Sequence, residues 1–539
     1  MTSYPGRLSL YVDRDEVEDA DLRAVALLLH LAGRDPDDAR IPDPLWLALA
    51  RSLKTHDDGH ACLRLAADDE SLDLLRRIPE LVAPAEERDD HPRRPFVVDG
   101  TGLYVARAHH EETVIADRLS AVAAGGRLKV LLGGPGTGKT TKVAGEIVTR
   151  LRDGSLTEDD IALAAPTGKA ADRMRQALLG ALDHHGAPSD IRSRVASMRA
   201  VTVHRLLGYS LGRDDGRYRF RAGNHLPFSL VIVDETSMLS MSLMYRLLDA
   251  LLPDASLWLV GDPDQLVSVD AGSVLGDVAR ATSRDLNAAR TVLTTTHRYD
   301  EKSPFGRLIT ATRAGDVKVV SGLLDTHRGI GPELSFIDID TDRDGLESLS
   351  SSVRSWATMV RDRASSGDAS GALDALSTMQ VLCATRRGAL GADSWNRNVG
   401  RWMGSGTRAR WFPGRPVMVT RNDYSNDLFN GDVGVVVDVG SEGLLVAFPG
   451  PDGPRLVPPV RLGDVDTVHA LTIHKSQGSE YDHAVVVLPR ESRLLTRELL
   501  YTGASRARRR LTIVGSMAAV TTAVGSAVGR ATGLEGRLS

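Results

Sequence analysis

Two apolar rhythms divide this chain. Up to about residue 115, apolar positions at 24–32 and 45–53 recur every three to four residues, the spacing of helices with one buried face. They predict a helical N-terminal unit over 1–115, in which 84–94, rich in charge and proline, reads as a linker. From residue 128 the rhythm changes to short unbroken apolar runs, at 128–132, 161–165, 230–233, 257–260 and 291–293, separated by longer amphipathic stretches. Runs of that length are apolar on both faces. They predict a parallel sheet covered by helices on each side, over 116–300. A second such set, at 381–384, 484–488 and 511–514, predicts a second α/β domain over 301–410 and 467–539. Between its strands, 411–466 carries brief apolar runs at 416–420, 434–439 and 444–448 punctuated by Gly, Asn, Asp and Pro, the pattern of a small inserted β-barrel. Alternation at Arg217, Tyr218, Arg219, Phe220 and Arg221 suggests a β-hairpin over 208–227 projecting from the first domain.

The first α/β run ends in Gly133-Gly134-Pro135-Gly136-Thr137-Gly138-Lys139-Thr140, followed by Thr141. This is a phosphate loop. Its backbone N–H groups must approach phosphate oxygens closely, which side chains would prevent; Lys139 can reach the β- and γ-phosphates and Thr140 can offer its hydroxyl to Mg²⁺. The run at 230–233 ends in Asp234-Glu235, about 95 residues after the loop, where carboxylates meet the crevice above a parallel sheet. Asp234 suits the Mg²⁺ shell, and Glu235 suits orienting and deprotonating a water. Gly261-Asp262-Pro263-Asp264-Gln265-Leu266 follows the next run; the turn it forms can present Gln265 to a γ-phosphate. Arg298, in Thr296-His297-Arg298-Tyr299, and Arg506, in Ser505-Arg506-Ala507-Arg508, are candidates to meet charge building on a transferring phosphoryl group.

Composition narrows the setting. The 66 basic and 71 acidic residues give a net charge of −5, so any track for a nucleic acid must be local. Only 8 of the basic residues are lysines, and Lys139, Lys169 and Lys475 fall inside short motifs. Cys62 and Cys383 lie far apart and form no metal-binding spacing. With no apolar run long enough to span a bilayer and no apolar leader, a reducing cytoplasm is the expected location.

These motifs, in this order, resemble the RecD-like branch of the superfamily 1 helicases, which includes the alpha subunit of exonuclease V. Further matching motifs are Ala165-Pro166-Thr167-Gly168-Lys169-Ala170-Ala171, Thr202-Val203-His204-Arg205-Leu206-Leu207-Gly208, Ala271-Gly272-Ser273-Val274-Leu275, Asn430-Gly431-Asp432, 470–480 and Tyr501-Thr502-Gly503. The resemblance spans about residues 128 to 515. It implies two RecA-like domains that sandwich ATP and Mg²⁺, Arg298 and Arg506 reaching in from the second, a hairpin at 208–227 near the duplex junction, and an SH3-like insertion over 411–466. It implies ATP-driven 5′-to-3′ movement on single-stranded DNA. Pro166, Thr167, Lys169, Thr202, His204, Asn430, Thr472, His474 and Ser476 would line the strand track, and Glu480 would contact the nucleotide's ribose. Structural roles stay open for His204 and His474, and for Tyr501 and Thr502 core packing and helix capping are preferred to DNA contact. The short N-terminal unit favours a docking role beside RecB-like and RecC-like partners over an autonomous helicase. A switch that uses nucleotide only to change shape is the rival class, and no nuclease constellation is present.

Overall fold

The computed structural model describes residues 4–38, 40–87, 94–184, 188–198, 200–210, 218–268, 270–403, 410–423, 425–450 and 453–539. Its first large sheet has six parallel strands in the spatial order Arg290–Leu293, Leu128–Gly133, Ser256–Gly261, Leu230–Val233, Ile161–Ala165 and Ala200–Thr202. Every residue of Leu230–Val233 and of Ile161–Ala165 is buried, which is why these runs do not alternate. One face is covered by the helix Lys139–Arg152, whose Val143, Ala144, Ile147, Val148 and Leu151 pack on Leu131 and Trp258. The other is covered by the helices Ala106–Ala124 and Met241–Ala250.

The second large sheet is also parallel, in the order Leu334–Asp338, Ala507–Gly515, Tyr481–Val487, Met379–Cys383 and Ala470–Thr472. Helices Pro304–Ala314, Val317–Thr326, Arg497–Ala504 and Met517–Gly525 pack on one face; Arg343–Ser365, Ala369–Thr378 and Ala392–Trp402 pack on the other. Between Met379–Cys383 and Ala470–Thr472 runs a five-stranded antiparallel sheet, in the order Arg455–Val457, Leu444–Phe448, Val433–Asp438, Pro416–Val419 and Val465–Thr467. Val417, Val436, Val446 and Phe448 form its own small core, while Val435, Val437, Leu445 and Ala447 pack on the second domain. Among the described residues its two outer strands do not pair with each other, so the expected barrel is seen as a curled sheet.

The N-terminal unit departs from the helical expectation. Beside the helices Asp19–Leu31 and Asp43–Asp57 it holds a four-stranded sheet in the order Cys62–Arg64, Gly102–Val105, Phe96–Asp99 and Val82–Pro84. Two of these strands are joined through Gly100, whose φ of +57° makes the tight turn. The expected linker at 84–94 begins at the end of a strand, and 88–93 lie outside the described residues. Of the expected hairpin at 208–227, 211–217 lie outside them too; the described part is a turn closed by an Arg221–Asn224 bridge.

The chain's end also departs from expectation. The helix Leu534–Leu538 does not pack in the second domain but against Ala106–Ala124, with Leu534 and Leu538 buried in the first domain's core. Gly533 N and Arg537 Nε each donate to Glu112 Oε1 at 3.1 Å, and Ala61 N donates to Ala531 O at 2.9 Å. No described helix is long and apolar enough to cross a membrane, and Cys62 and Cys383 are both free and buried.

Candidate nucleotide cleft and strand track

The C-terminal ends of the first sheet's strands meet the second domain around a cavity of about 260 Å³. Residues 135–141 of the phosphate loop form one wall; Asp234, Glu235, Gln265, Arg298, Glu480 and Arg506 line the cavity with Ala170, Arg173 and Ala177 of the helix Gly168–His184. Residues from Pro135 to Arg506 thus converge on one small space, and their chemistry is that of a polyphosphate site.

The loop turns through Gly136, at φ +76°, and a Cβ there would stand 2.4 Å from the Cβ of Arg298. Only glycine lets the loop lie this close to the segment after Arg290–Leu293. Two bonds hold that contact, His297 N to Gly136 O at 2.8 Å and Thr296 Oγ1 to Pro135 O at 3.2 Å. Lys139 Nζ donates to Gly133 O at 2.6 Å and Gly134 O at 2.9 Å, which keeps its ammonium at the loop's mouth. Thr140 Oγ1 donates to Asp234 Oδ2 at 3.3 Å. A hydroxyl and a carboxylate side by side at the start of a helix are a fitting pair of oxygen ligands for Mg²⁺, which takes few protein ligands and keeps its waters. Burial and the neighbouring Glu235 push the Asp234 carboxyl above the usual range, a cost that a bound cation would offset by favouring the charged form. Glu235 itself has φ +50°, a left-handed conformation that costs a side-chain-bearing residue energy and recurs at functional sites.

Arg298 corrects one expectation. It does not reach in from the second domain but sits on the connection that leaves the first sheet after Arg290–Leu293. Its guanidinium bridges the cleft instead, donating to Ser505 O at 3.0 Å and Glu480 Oε1 at 2.5 Å. Arg506 does come from the second domain. Its Nη2 donates to Gln265 Oε1 at 2.8 Å, Gln265 Nε2 donates to Asp262 Oδ2 at 3.0 Å, and the Tyr501 hydroxyl donates to the same oxygen at 3.0 Å. Gln265 therefore links a carboxylate of the first domain to a guanidinium of the second, which also fixes its amide orientation. Thr502 Oγ1 accepts from Leu266 N at 2.9 Å, tightening the same seam.

Glu480 is surrounded by cations. Arg173 pairs with Oε1, Arg298 shares that oxygen, and Arg508 Nε donates to Oε2 at 3.2 Å. Despite burial, these charges hold its carboxyl down at about 2, so it stays ionised at any working pH. The family resemblance gave Glu480 a role; Asp262 and Arg508 stood inside its motifs without one, and Arg173 lay outside them. A usable signal existed for Arg173: it lies four residues after Lys169 in one helical segment, so both share a face.

Four of the expected strand-track residues meet in a second cavity of about 200 Å³, lined by Thr167, Lys169, Asn430 and His474 together with Met418 and Lys475. It lies where the first domain, the second domain and the inserted sheet come together. Gly168 lets the first domain and the inserted sheet approach beside it, since a Cβ there would fall 2.5 Å from the Cβ of Phe429. Thr472 faces an adjoining cavity of about 280 Å³ with Arg386, Asn396 and Arg397. Pro166 is half-buried at the head of the helix Gly168–His184, and Thr202 caps the helix Val203–Leu206 by accepting from Arg205 N at 3.3 Å. His204 is exposed, its ring 5.7 Å from that of Tyr209 and 6.3 Å from that of Tyr218. Desolvation by the surrounding protein lowers the pKa of His474, and of His204 despite its exposed surface, below the usual histidine value. Ser476 departs from expectation. It is buried, and its hydroxyl donates to Ile473 O at 2.7 Å, shaping the turn rather than the surface.

Comparison with known proteins gives the family. Residues 118–271 match the AAA domain family, and residues 467–514 match the UvrD-like helicase C-terminal domain family. The chain is 43% identical over 429 residues to the RecBCD enzyme subunit RecD of Mycobacterium tuberculosis, covering 78% of this chain and 72% of that one. It is 34% identical over 427 residues to the ATP-dependent RecD2 DNA helicase of Deinococcus radiodurans, covering 76% and 49%. Among solved structures, a Bacteroides Pif1 bound to ssDNA is similar over 75% of this chain and 91% of that one, at 16% identity and a TM-score of 0.37. The chain belongs to the RecD-like branch of the superfamily 1 helicases.

Proposed function

We propose that this chain is the ATP-dependent, 5′-to-3′ helicase subunit of a RecBCD-type (exonuclease V) complex in double-strand break repair and recombination. The observation that carries this reading is the cleft itself, where Lys139, Asp234, Glu235, Gln265, Arg298 and Arg506 converge between two parallel-sheet domains. A cleft built from two bodies changes shape when the phosphates it binds change. Lys139 and residues 135–141 hold the β- and γ-phosphates. Thr140 and Asp234 would hold Mg²⁺, which would supply charge neutralisation for the transferring group. Glu235 takes a proton from the attacking water, Gln265 orients that water, and Arg298 and Arg506 stabilise the equatorial oxygens.

The strand track runs through the cavity of Thr167, Lys169, Asn430 and His474 and on past Thr472. Hydroxyl, amide and ammonium donors there suit phosphates and leave bases unread. In this reading, 1–115 docks partner subunits and 116–300 and 301–410 with 467–529 are the RecA-like motor domains. The segment 411–466 is an SH3-like insertion, and the cytoplasm is the place of action. The relatives named RecBCD subunit RecD favour RecB-like and RecC-like partners over an autonomous helicase. No nuclease site is assigned.

The test is steady-state ATPase activity with single-stranded DNA and with 5′- and 3′-tailed duplexes. Strong stimulation by the strand and preference for the 5′ tail are expected. An ATPase indifferent to DNA would leave only a nucleotide switch. A monodisperse monomer that unwinds 5′-tailed duplex unaided would overturn the subunit assignment.

A further inference from the structure

The two cavities are joined by one turn of helix. Lys169 and Arg173 stand on the same face of Gly168–His184, about 6 Å apart along its axis. Lys169 lines the strand cavity and Arg173 lines the nucleotide cavity. Between them they hold three consecutive residues of the second domain. Lys169 Nζ donates to Ser479 Oγ at 2.8 Å; Arg173 Nη1 donates to Gly478 O at 2.8 Å, and its Nη2 pairs with Glu480. Those residues lead directly into the strand Tyr481–Val487 at the centre of the second sheet.

Glu480 Oε1 is shared between Arg173 and Arg298, and Ser479 O accepts from Arg506 Nη1 at 3.4 Å. Any shift of the Gly478–Glu480 turn therefore moves the anchor of one cleft arginine and a partner of the other. A guanidinium suits this place because its planar fork can serve a carbonyl and a carboxylate at once, which an ammonium cannot do with fixed geometry. Lys169 and Arg173 thus grip the same turn of the second domain from one turn of one helix, so a change in the hold of Lys169 on Ser479 acts on the residues that Arg173 holds.

We propose that Arg173 is a positioning residue that couples the strand track to ATP hydrolysis, acting through the Gly478–Glu480 turn on Arg298 and Arg506. The proposal deepens the helicase reading and rests on it.

The experiment is ATPase activity of the full-length chain titrated with oligo(dT), for the wild type, Arg173→Ala and Arg173→Lys, with thermal melts alongside. For Arg173→Ala, the ratio of strand-saturated to basal rate is expected to fall about 10-fold, the size of a typical coupling between sites. Half-saturating oligo(dT) should stay within about 3-fold, because Arg173 does not line the strand cavity. Arg173→Lys keeps the charge and the fold, and is expected to show the same loss in smaller measure. Equal falls in basal and stimulated rates would reduce Arg173 to a nucleotide contact and overturn the proposal. So would a full stimulation ratio in Arg173→Lys. A wild-type rate that ignores oligo(dT) would instead bring down the helicase reading itself, which makes the two failures distinguishable.

Discussion

The Tyr501 hydroxyl donates to Asp262 Oδ2 at 3.0 Å, joining a helix of the second domain to the strand-end turn of the first. Burial and the facing Asp262 raise the Tyr501 phenol well above its usual value, so Tyr501 is the donor in this bond. Tyr501→Phe removes that donor and leaves a buried carboxylate with fewer partners. Hydrogen bonds to charged groups are worth about 1.5–3 kcal/mol. A loss of that size in chemical denaturation is expected, with a fall in strand-stimulated turnover; unchanged stability and turnover would mean the bond carries no load.

Removing the chemistry should leave the track. In Lys139→Ala and Glu235→Gln, hydrolysis is expected to fall about 10²-fold or more, while affinity for oligo(dT) changes little. Fluorescence anisotropy with labelled strand, measured beside ATPase, checks both halves. A comparable loss of strand binding would contradict the separation of the two cavities.

Arg506 should not tolerate lysine. Its Nη2 engages Gln265 while its Nε donates to Thr502 O at 3.0 Å, a planar two-sided contact. Arg506→Lys is therefore expected to lose nearly as much turnover as Arg506→Ala, on the order of 10³-fold for a group that stabilises the transferring phosphoryl. Recovery of most of the rate by lysine would show that charge alone suffices.

Stability should decline with pH near the docked chain end. Asp277 is 1% exposed and accepts from Thr532 Oγ1 at 3.0 Å and Arg280 Nη2 at 2.7 Å, yet burial pushes its carboxyl up to about 7 from an unfolded value of 3.8. Between those values the folded chain keeps a proton that the unfolded chain has released. Its contribution is therefore favourable near pH 4 and is lost as pH rises through 7, with a slope of at most about 1.4 kcal/mol per pH unit. Asp277→Asn should flatten that slope in urea denaturation at pH 5 and pH 8. Parallel slopes in the two proteins would exclude Asp277 as the source.

Gly168→Ala should loosen the inserted sheet. A methyl group 2.5 Å from the Phe429 Cβ forces the two surfaces apart, at a cost of about 1–3 kcal/mol. The expected signs are a lower melting temperature and faster proteolysis within 411–466. An unaltered cutting pattern would mean that Phe429 moves aside freely.

The long apolar runs were readable because a strand buried on both faces has no other sequence to use; Ile161–Ala165 and Leu230–Val233 lie where their patterns predict. Short edge strands were not. Ala200–Thr202 and Ala470–Thr472 have three residues each, too few for any period, and Leu334–Asp338 is interrupted by Ser335 and ends in Asp338. The N-terminal sheet left one legible trace, the Asp99-Gly100 pair between Phe96-Val97-Val98 and Leu103-Tyr104-Val105. At the cleft, motifs announced the groups that meet phosphate. The groups that meet each other, Tyr501 with Asp262 and Arg173 with Glu480, carry no local signature because their partners are more than 200 residues away.

Residues 530–538 return to the first domain, and this turns the whole second domain into an insertion between 294 and 530. The curled sheet is in turn inserted between two neighbouring strands of that second domain. The chain is nested like parentheses, each inner unit tied to its host at both ends. A body tied at two points keeps one easy rotation, about the line through them, and gives up sliding. The second domain is thus joined to the first by two chain crossings, at 294–303 and 526–530, rather than by one.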